Sequence, residues 1–128
     1  MADPSILVTF PTPSSSPFVI EHVSDEFTSV CPETGHPDFG SIVLRYQPTP
    51  ADAPDSKGCV ELKSLKLYYQ SFRNEGIYYE AVTNAIRDHL VSLLEPEWLQ
   101  IVTEWKGRGG IRSRIRADHG EVPSEYRG

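Results

Sequence analysis

The chain has 128 residues, of which 38% are hydrophobic and 23% are charged, and its formal net charge at pH 7 is −6. This length predicts a single domain, and the negative charge argues against general nucleic-acid binding. The charge is unevenly spread, because the first 60 residues hold two basic and eight acidic residues whereas the remainder holds ten of each. Local binding of an anion is therefore compatible with the sequence.

The cysteine and hydropathy patterns predict a reduced, soluble protein of the cytoplasm. The chain has two cysteines, Cys31 and Cys59, and no signal peptide or apolar run of about 18 residues. A disulfide between the two is formally possible but disfavoured in that compartment. Neither cysteine lies in a CxxC motif and the four histidines show no tight ligand spacing, so we expect no metal site.

Composition divides the chain into three parts. Residues 1–17 are rich in proline and serine and are predicted to be disordered. Residues 18–118 are predicted to form the single folded domain. Residues 119–128 are polar and are predicted to form a loose tail.

The predicted domain starts with two strands. Phe18–Val23 is rich in β-branched and apolar residues, and Phe39–Tyr46 alternates apolar with polar or small side chains. Residues 47–58 contain three prolines and two aspartates without periodicity and are predicted to form a surface loop.

Two helices and two further strands follow. Apolar residues recur at helical spacing from Leu62, which predicts an amphipathic helix ended by Gly76 as a left-handed cap. A second helix is predicted from about Ile77 to Leu94, with its apolar stripe at Val82, Ile86, Leu90 and Leu93. Trp98–Trp105 and Ile111–Ala117 are predicted strands joined by a glycine-rich turn. The order β-β-α-α-β-β predicts an α+β domain with helices on one face of an antiparallel sheet.

The first candidate site is the loop that holds Cys31 and Asp38. Pro32, Gly35 and Pro37 predict a chain that turns back on itself, which can bring the thiol and the carboxyl group toward one substrate. The alternative is that Cys31 is a small buried hydrophobic residue. Cys59 has no comparable polar neighbours and is predicted to be structural.

Cations form a second candidate site. Lys63 and Lys66 share a face of the first helix with Arg73, and Arg108 is flanked by glycines. Such groups are commonly just a solvated surface, but together they also suit an anionic cofactor or substrate. Glu80 starts the second helix, where a carboxylate favours the helix dipole; alternatively, it accepts paired hydrogen bonds from a guanine-like edge.

Four short motifs carry a resemblance: Cys31-Pro-Glu-Thr-Gly-His-Pro-Asp38, Glu61-Leu-Lys-Ser-Leu-Lys-Leu-Tyr68, Ser71-Phe-Arg-Asn74 and Gly107-Arg-Gly-Gly-Ile111. They resemble the signature of the QueF family, the NADPH-dependent 7-cyano-7-deazaguanine reductases of queuosine biosynthesis, in its short single-module form. The similarity runs from about Glu26 to Ile111. It implies the tunnelling fold, also β-β-α-α-β-β, and a homo-oligomer of pentameric rings, alone or stacked as a decamer, with active sites at subunit boundaries.

The resemblance implies a catalytic pair. Cys31 is expected to attack the nitrile carbon and form a covalent thioimide, and Asp38 to give a proton to the nitrile nitrogen. Two NADPH then reduce the adduct to the primary amine, 7-aminomethyl-7-deazaguanine. The small-molecule nitrile is the expected partner, with no direct role for nucleic acid or membrane.

The resemblance also implies binding residues. The expected substrate contacts are Val60, Glu61, Leu62, Tyr79 and Glu80. The expected NADPH contacts are Lys63, Lys66 and Arg108. Two of these positions depart from the family, since many members have histidine at position 79 and some have serine at position 62.

Three other functions compete. An amidinotransferase of the same fold, acting on the nitrile in tRNA, should lack the lysine-bearing helix. A GTP cyclohydrolase would need cysteine and histidine zinc ligands that this sequence does not assemble. A non-catalytic purine-binding module would bind the deazaguanine without forming a thiol adduct.

Overall fold

The computed structural model describes residues 2–128, with the exception of the Arg108 side chain. These residues form an α+β fold in which two helices pack on an antiparallel sheet, so the predicted β-β-α-α-β-β order is confirmed. Two very short strands and two 3-10 turns, Pro4–Ile6 and Ser124–Tyr126, are added to it. The strands and helices are β1 (Thr9–Phe10), β2 (Ile20–Val30), β3 (Pro37–Gln47), β4 (Cys59–Val60), α1 (Leu62–Gln70), α2 (Tyr79–Leu94), β5 (Trp98–Arg108) and β6 (Ile111–Gly120).

The main sheet has the spatial order β2-β3-β5-β6, and each strand is antiparallel to its neighbour. Alternate side chains of a strand point to the same face, and on β3 these are Ile42, Leu44 and Tyr46, all fully buried. Leu99 and Ile101 of β5 join the same core. The hydrophobic core therefore lies between this face and the two helices, while β1 and β4 form a separate two-stranded ladder.

The apolar stripe of α2 agrees with the prediction at three of its four positions. Val82, Ile86 and Leu90 are fully buried. The fourth buried member is Leu94, whereas Leu93 is partly buried at the edge of the core, because the i, i+4 spacing continues to the last residue of the helix. No helix among the described residues is long and apolar enough to span a membrane.

The first helix is shorter than the sequence predicts. α1 ends at Gln70, and the predicted left-handed cap at Gly76 is wrong. Gly76 instead forms an isolated parallel bridge with Val30. The Val30 N–H donates to the Glu75 carbonyl and the Ile77 N–H donates to the Val30 carbonyl, each at 3.0 Å. This bridge ties the segment between the helices to the end of β2.

The first two strands are longer than the sequence predicts. β2 extends to Val30 rather than Val23 through a bulge, and the polar residues there interrupt the apolar pattern that marks a strand. β3 begins at Pro37 rather than Phe39, as a proline can at the first position of a strand. The loop between the two strands is therefore reduced to residues 31–36.

The N-terminal segment is ordered, although the sequence predicts a disordered tail over residues 1–17. Met1 lies outside the described residues. Leu7 is buried in the core, and the Val8 N–H donates to the Ser64 hydroxyl of α1 at 3.1 Å. The proline- and serine-rich composition hides this order, which depends on one apolar side chain and on backbone hydrogen bonds to distant residues.

The C-terminal segment, predicted as a loose tail over residues 119–128, packs on the sheet face that points away from the helices. The Tyr126 ring lies 5.5 Å from the ring of Trp98, and the Tyr126 carbonyl accepts a hydrogen bond of 2.8 Å from the amide of Gln100. Gln100 is fully buried, and a buried amide needs such a partner. The tail is therefore ordered because it covers this part of the sheet.

Candidate active site

The loop after β2 is a closed turn. The Cys31 N–H donates to the His36 carbonyl, and the Gly35 N–H donates to the Cys31 carbonyl, both at 2.9 Å. Gly35 has φ +74°, a left-handed conformation that glycine adopts without steric cost. The predicted reversal of the chain is confirmed, and Asp38 follows as the second residue of β3.

Cys31 and Asp38 line one cavity of about 200 Å³. Only 7% of Cys31 and 6% of Asp38 is exposed, so both groups are largely withdrawn from bulk water. The rest of the wall comes from Pro32 and residues 77–80. The structure therefore brings together four residues that the sequence singles out: Cys31, Asp38, Tyr79 and Glu80.

The start of α2 reaches this cavity because of the bridge at Val30. Tyr79 and Glu80 are the first two residues of α2. Glu80 is exposed at the rim, where its carboxylate also favours the positive end of the helix dipole. The Tyr79 hydroxyl donates to Asp38 Oδ1 at 3.3 Å.

A second hydrogen bond joins the loop to the helix. The Tyr78 hydroxyl donates to Glu33 Oε1 at 2.5 Å. This bond, and the negative charge of Glu33, raise the pKa of Tyr78 because both disfavour the phenolate. Glu33 lies in the loop beside Cys31, so the contact fixes the loop relative to the start of α2.

Asp38 and Tyr79 also line a neighbouring cavity of about 340 Å³. Its other lining residues include His36 and Lys106, which are both exposed. The carboxyl and the phenol therefore stand between two cavities, one containing the thiol and one lined by basic side chains.

The residues of the Glu61 motif lie apart from Cys31. Val60 is 1% exposed, and its N–H donates to the Tyr46 hydroxyl at 3.0 Å. The Glu61 carboxylate caps α1 by accepting from the N–H groups of Lys63 and Ser64 at 2.6 and 2.9 Å. Within one chain, the segment therefore has a structural role at the start of the helix.

Leu62, Lys63 and Lys66 point outward from α1. Leu62 is 58% exposed, and both lysines are exposed. Leu62 and Lys66 line a third cavity of about 350 Å³ together with residues 22–26 of β2. The predicted contact of Arg108 falls on a side chain outside the described residues, although its backbone ends β5.

Cys59 occupies a different environment from Cys31. It is 1% exposed, and its thiol lies 3.9 Å from the hydroxyl of Thr12. Neither cysteine forms a disulfide. Among the described residues, no group of three or more histidine, cysteine, aspartate or glutamate side chains is placed to hold a metal ion.

Trp105 lies at the site, although its sequence pattern indicates only a place in a strand. Its ring stacks on Tyr79, with centroids 4.1 Å apart and planes 9° from parallel. Trp105 pairs with Gly40 across the sheet, and this register depends on the spatial order of the strands. The strand pattern alone therefore could not predict that Trp105 lies at the site.

The fold and the cavity define a class of protein: an α+β domain with a thiol and a carboxyl group at one end of its sheet. The family model described as QueF-like protein matches residues 37–124. Since this match covers more than half of the chain, the chain belongs to the QueF-like family.

Several curated relatives carry the name NADPH-dependent 7-cyano-7-deazaguanine reductase. The protein of Prosthecochloris aestuarii is 55% identical over 102 residues, which cover 80% of each chain. That of Anaeromyxobacter sp. (strain K) is 52% identical over 119 residues, which cover 92% of each chain. That of Chloroherpeton thalassium is 50% identical over 117 residues, covering 91% of this chain and 95% of the relative.

A solved structure shares the fold. The crystal structure of the archaeosine synthase QueF-Like in the apo form superposes with a TM-score of 0.66 and covers 86% of this chain and 99% of that chain. The two sequences are 19% identical, so this likeness concerns the fold.

Proposed function

We propose that this chain is an NADPH-dependent 7-cyano-7-deazaguanine reductase. It reduces the nitrile of 7-cyano-7-deazaguanine to the amine of 7-aminomethyl-7-deazaguanine, a four-electron reduction that uses two NADPH, in queuosine biosynthesis. The observation that carries the proposal is the placement of Cys31 and Asp38 in one cavity. The names of relatives at 50–55% identity over most of the chain support the substrate and the cofactor.

The chemistry of the nitrile explains why both groups are needed. A nitrile is a poor electrophile until its nitrogen accepts a proton or a hydrogen bond. The Cys31 sulfur attacks the nitrile carbon as a thiolate, the reactive form of a cysteine. Asp38 gives a proton to the nitrogen as one carbon–nitrogen π bond breaks, so the product of this step is a neutral thioimide on Cys31.

NADPH, when bound, supplies the hydride equivalents that convert the adduct to the amine. The protein side of the reduction is to hold the adduct and to exclude water. The deep burial of Cys31 and Asp38 suits that task. The neighbouring cavity, which shares Asp38 and carries His36 and Lys106, gives an anionic cofactor a route to the same carboxyl group.

We assign recognition of the base to Glu80. A carboxylate accepts two hydrogen bonds from an amide-plus-amine edge such as that of a deazaguanine. Glu80 lies at the rim of the cavity that holds Cys31, so a planar base bound there directs its nitrile inward. Tyr79 is the aromatic neighbour on the same turn.

We further propose that the site is completed by a second subunit. Leu62, Lys63 and Lys66 are exposed, and among the described residues none of the three lines the Cys31 cavity. A ring of five subunits, alone or stacked as a decamer, brings this face of α1, with Val60 and Glu61, to the Cys31 cavity of a neighbour. The outer strands of the main sheet, β2 and β6, provide edges for such contacts.

In this assembly, Lys63, Lys66 and Arg108 bind the phosphates of NADPH. Lysine and arginine are the usual partners of phosphate groups, and both lysines are exposed. Two cysteines that form no disulfide suit a reducing compartment, so we place the enzyme in the cytoplasm.

The test is the formation of the adduct itself. The protein mixed with 7-cyano-7-deazaguanine, without NADPH, is expected to gain the mass of the nitrile in intact-protein mass spectrometry. The gain is expected to be lost in Cys31→Ala and kept in Cys59→Ala, the matched control. An adduct on Cys59, or a wild-type protein that forms none, would overturn the proposal.

A second arm of the same experiment measures turnover. After NADPH is added anaerobically, the wild-type enzyme is expected to consume two NADPH for each nitrile and to release the free amine. A non-catalytic purine-binding module would bind the nitrile without a change in protein mass and without loss of NADPH.

A further inference from the structure

We propose that Tyr79 is a positioning residue for Asp38, and that the ring of Trp105, stacked on the ring of Tyr79, holds Tyr79 in place. The inference rests on the proposed function and concerns how the proton donor is oriented. The Tyr79 hydroxyl donates to Asp38 Oδ1 at 3.3 Å, and both residues line both cavities. The phenol thus holds one oxygen of the carboxyl group between the two cavities.

The hydroxyl of Tyr79 is fixed because its ring is fixed. The ring stacks on Trp105 with planes 9° from parallel and centroids 4.1 Å apart. Aromatic pairs in such close contact restrict each other's orientation. Tyr79 itself is partly exposed while Trp105 is 3% exposed, so the buried indole is the support and the phenol is the part that reaches the site.

A chain of hydrogen bonds holds the support. The Trp105 indole N–H donates to the Thr103 hydroxyl at 3.0 Å. The Thr103 and Thr83 hydroxyls hydrogen-bond each other at 2.7 Å, and the Thr83 hydroxyl donates to the Tyr79 carbonyl at 2.7 Å. Both threonines are fully buried. The bonds therefore run from the indole back to the backbone of Tyr79.

The strand that carries Asp38 contributes to the same support. Gly40, two residues after Asp38, lies opposite Trp105 in the sheet. A Cβ atom at Gly40 would lie 2.8 Å from the Trp105 ring, closer than such contacts occur. The indole thus packs directly on the β3 backbone next to the proton donor, and the glycine leaves room for it.

The arrangement matters because the two oxygens of a carboxyl group have different tasks. A donor held at Oδ1 favours the proton on Oδ2, which is the proton that the nitrile nitrogen receives. Without the Tyr79 hydroxyl, Oδ1 loses this donor, so the carboxyl group presents the proton on Oδ2 less often. Tyr79 therefore acts through Asp38, and it does not need to contact the nitrile.

The experiment compares Tyr79→Phe with wild type in single-turnover adduct formation without NADPH. This substitution removes the hydroxyl and keeps the ring on Trp105. The rate of adduct formation is expected to fall about 10- to 100-fold, a fraction of the full effect of a general acid. The dissociation constant of the nitrile, measured in the Cys31→Ala background, is expected to change less than about twofold. A matched control is Tyr126→Phe, since Tyr126 also packs on a tryptophan, Trp98, on the opposite face of the sheet.

The decisive measurement is the double variant. If Tyr79 acts through Asp38, Tyr79→Phe should slow the Asp38→Asn enzyme little further, because there is no proton donor left to orient. Equal slowing in both backgrounds would show an independent role and overturn the inference. A Tyr79→Phe enzyme that forms the adduct as fast as wild type would also overturn this inference, but it would leave the proposed function intact. A wild-type enzyme that forms no adduct would overturn the proposed function together with this inference.

Discussion

The region proposed to form the adduct, around Cys31, and the region proposed to bind NADPH, at the start of α1, are built differently in this molecule. Strands β2 and β3 and the loop 31–36 between them form a hairpin. At the loop end of this hairpin, Cys31, Asp38 and Tyr79 come from three segments and meet at one cavity within a single chain. At the start of α1, Glu61 is engaged in capping its own helix, whereas Lys63 is exposed. The first region is organised before any ligand binds, and the second presents side chains to whatever binds there.

The difference separates two functions of the site. Nucleophilic attack requires an orientation of sulfur and acid that is fixed beforehand, and the hairpin and the bridge at Gly76 supply it. Binding of a mobile, charged cofactor requires cations that a ligand can reach. We therefore expect substitutions at the hairpin to change the rate of adduct formation, and substitutions on α1 to change the requirement for NADPH.

The largest effect is expected from Asp38→Asn. The amide keeps the shape of the carboxyl group but cannot give a proton to the nitrile as an acid can, so adduct formation should slow about 10²- to 10⁴-fold. Affinity for the nitrile should stay nearly unchanged. Stopped-flow absorbance of the thioimide checks the rate, and calorimetry in the Cys31→Ala background checks binding.

A control for charge is Asp88→Asn, an exposed aspartate on α2 that bonds its neighbour Arg87. It should leave the rate of adduct formation unchanged. If Asp38→Asn abolished binding of the nitrile instead of slowing the chemical step, Asp38 would be a substrate anchor rather than the acid.

A smaller effect is expected from the double variant Lys63→Ala, Lys66→Ala. Loss of two charge-assisted contacts should raise the KM for NADPH about 10- to 100-fold, and adduct formation without NADPH should keep its wild-type rate. Steady-state kinetics measures the first and mass spectrometry the second. Lys57→Ala is the control, because Lys57 is a surface lysine outside α1 that pairs with Glu95. Slower adduct formation in the double variant would contradict the separation of the two regions.

The sequence was sufficient for the features that depend on local pattern. The period of two in β3 and the stripe of α2 define the core, and the prolines and glycine between Cys31 and Asp38 define the turn. The four short motifs are sufficient to indicate the family. Each of these signals lies within a few consecutive residues.

What the sequence did not indicate depends on contacts between distant residues. The stacking of Tyr79 on Trp105 follows from a strand order that brings β5 beside β3. Gly76 forms a bridge instead of the predicted helix cap, because the end of β2 offers backbone groups with which it pairs. Likewise, the acceptors used by Val8 and by Gln100 lie far away in sequence, so composition alone predicted disorder at both termini.

A change in stability, rather than in rate, is expected from Glu61→Ala. Its carboxylate accepts from two N–H groups at the start of α1, and removing a helix cap costs about 1 kcal/mol. The midpoint of thermal unfolding should fall by a few degrees. Glu61→Gln keeps an acceptor oxygen and should lose less. The control is Glu121→Ala, an exposed residue after β6. If Glu61→Ala lost affinity for the nitrile at unchanged stability, its main role would be contact with the substrate.

The smallest expected effect concerns pH and also belongs to the α1 region. His22 lies in the cavity between β2 and α1, where partial burial lowers its pKa below the ordinary value of 6.5 because the charged imidazolium is poorly solvated there. As the pH falls through 6.5, His22 of the unfolded chain binds a proton while His22 of the folded chain stays largely neutral. The free energy of unfolding should therefore decrease between about pH 7.5 and 5.5. Since His22 keeps part of its exposure to water, the decrease should stay below about 1 kcal/mol. Urea unfolding at several pH values measures it, and His22→Gln should flatten the slope over this range. An unchanged slope in His22→Gln would assign the pH dependence to other groups and leave the cavity beside α1 without a role in it.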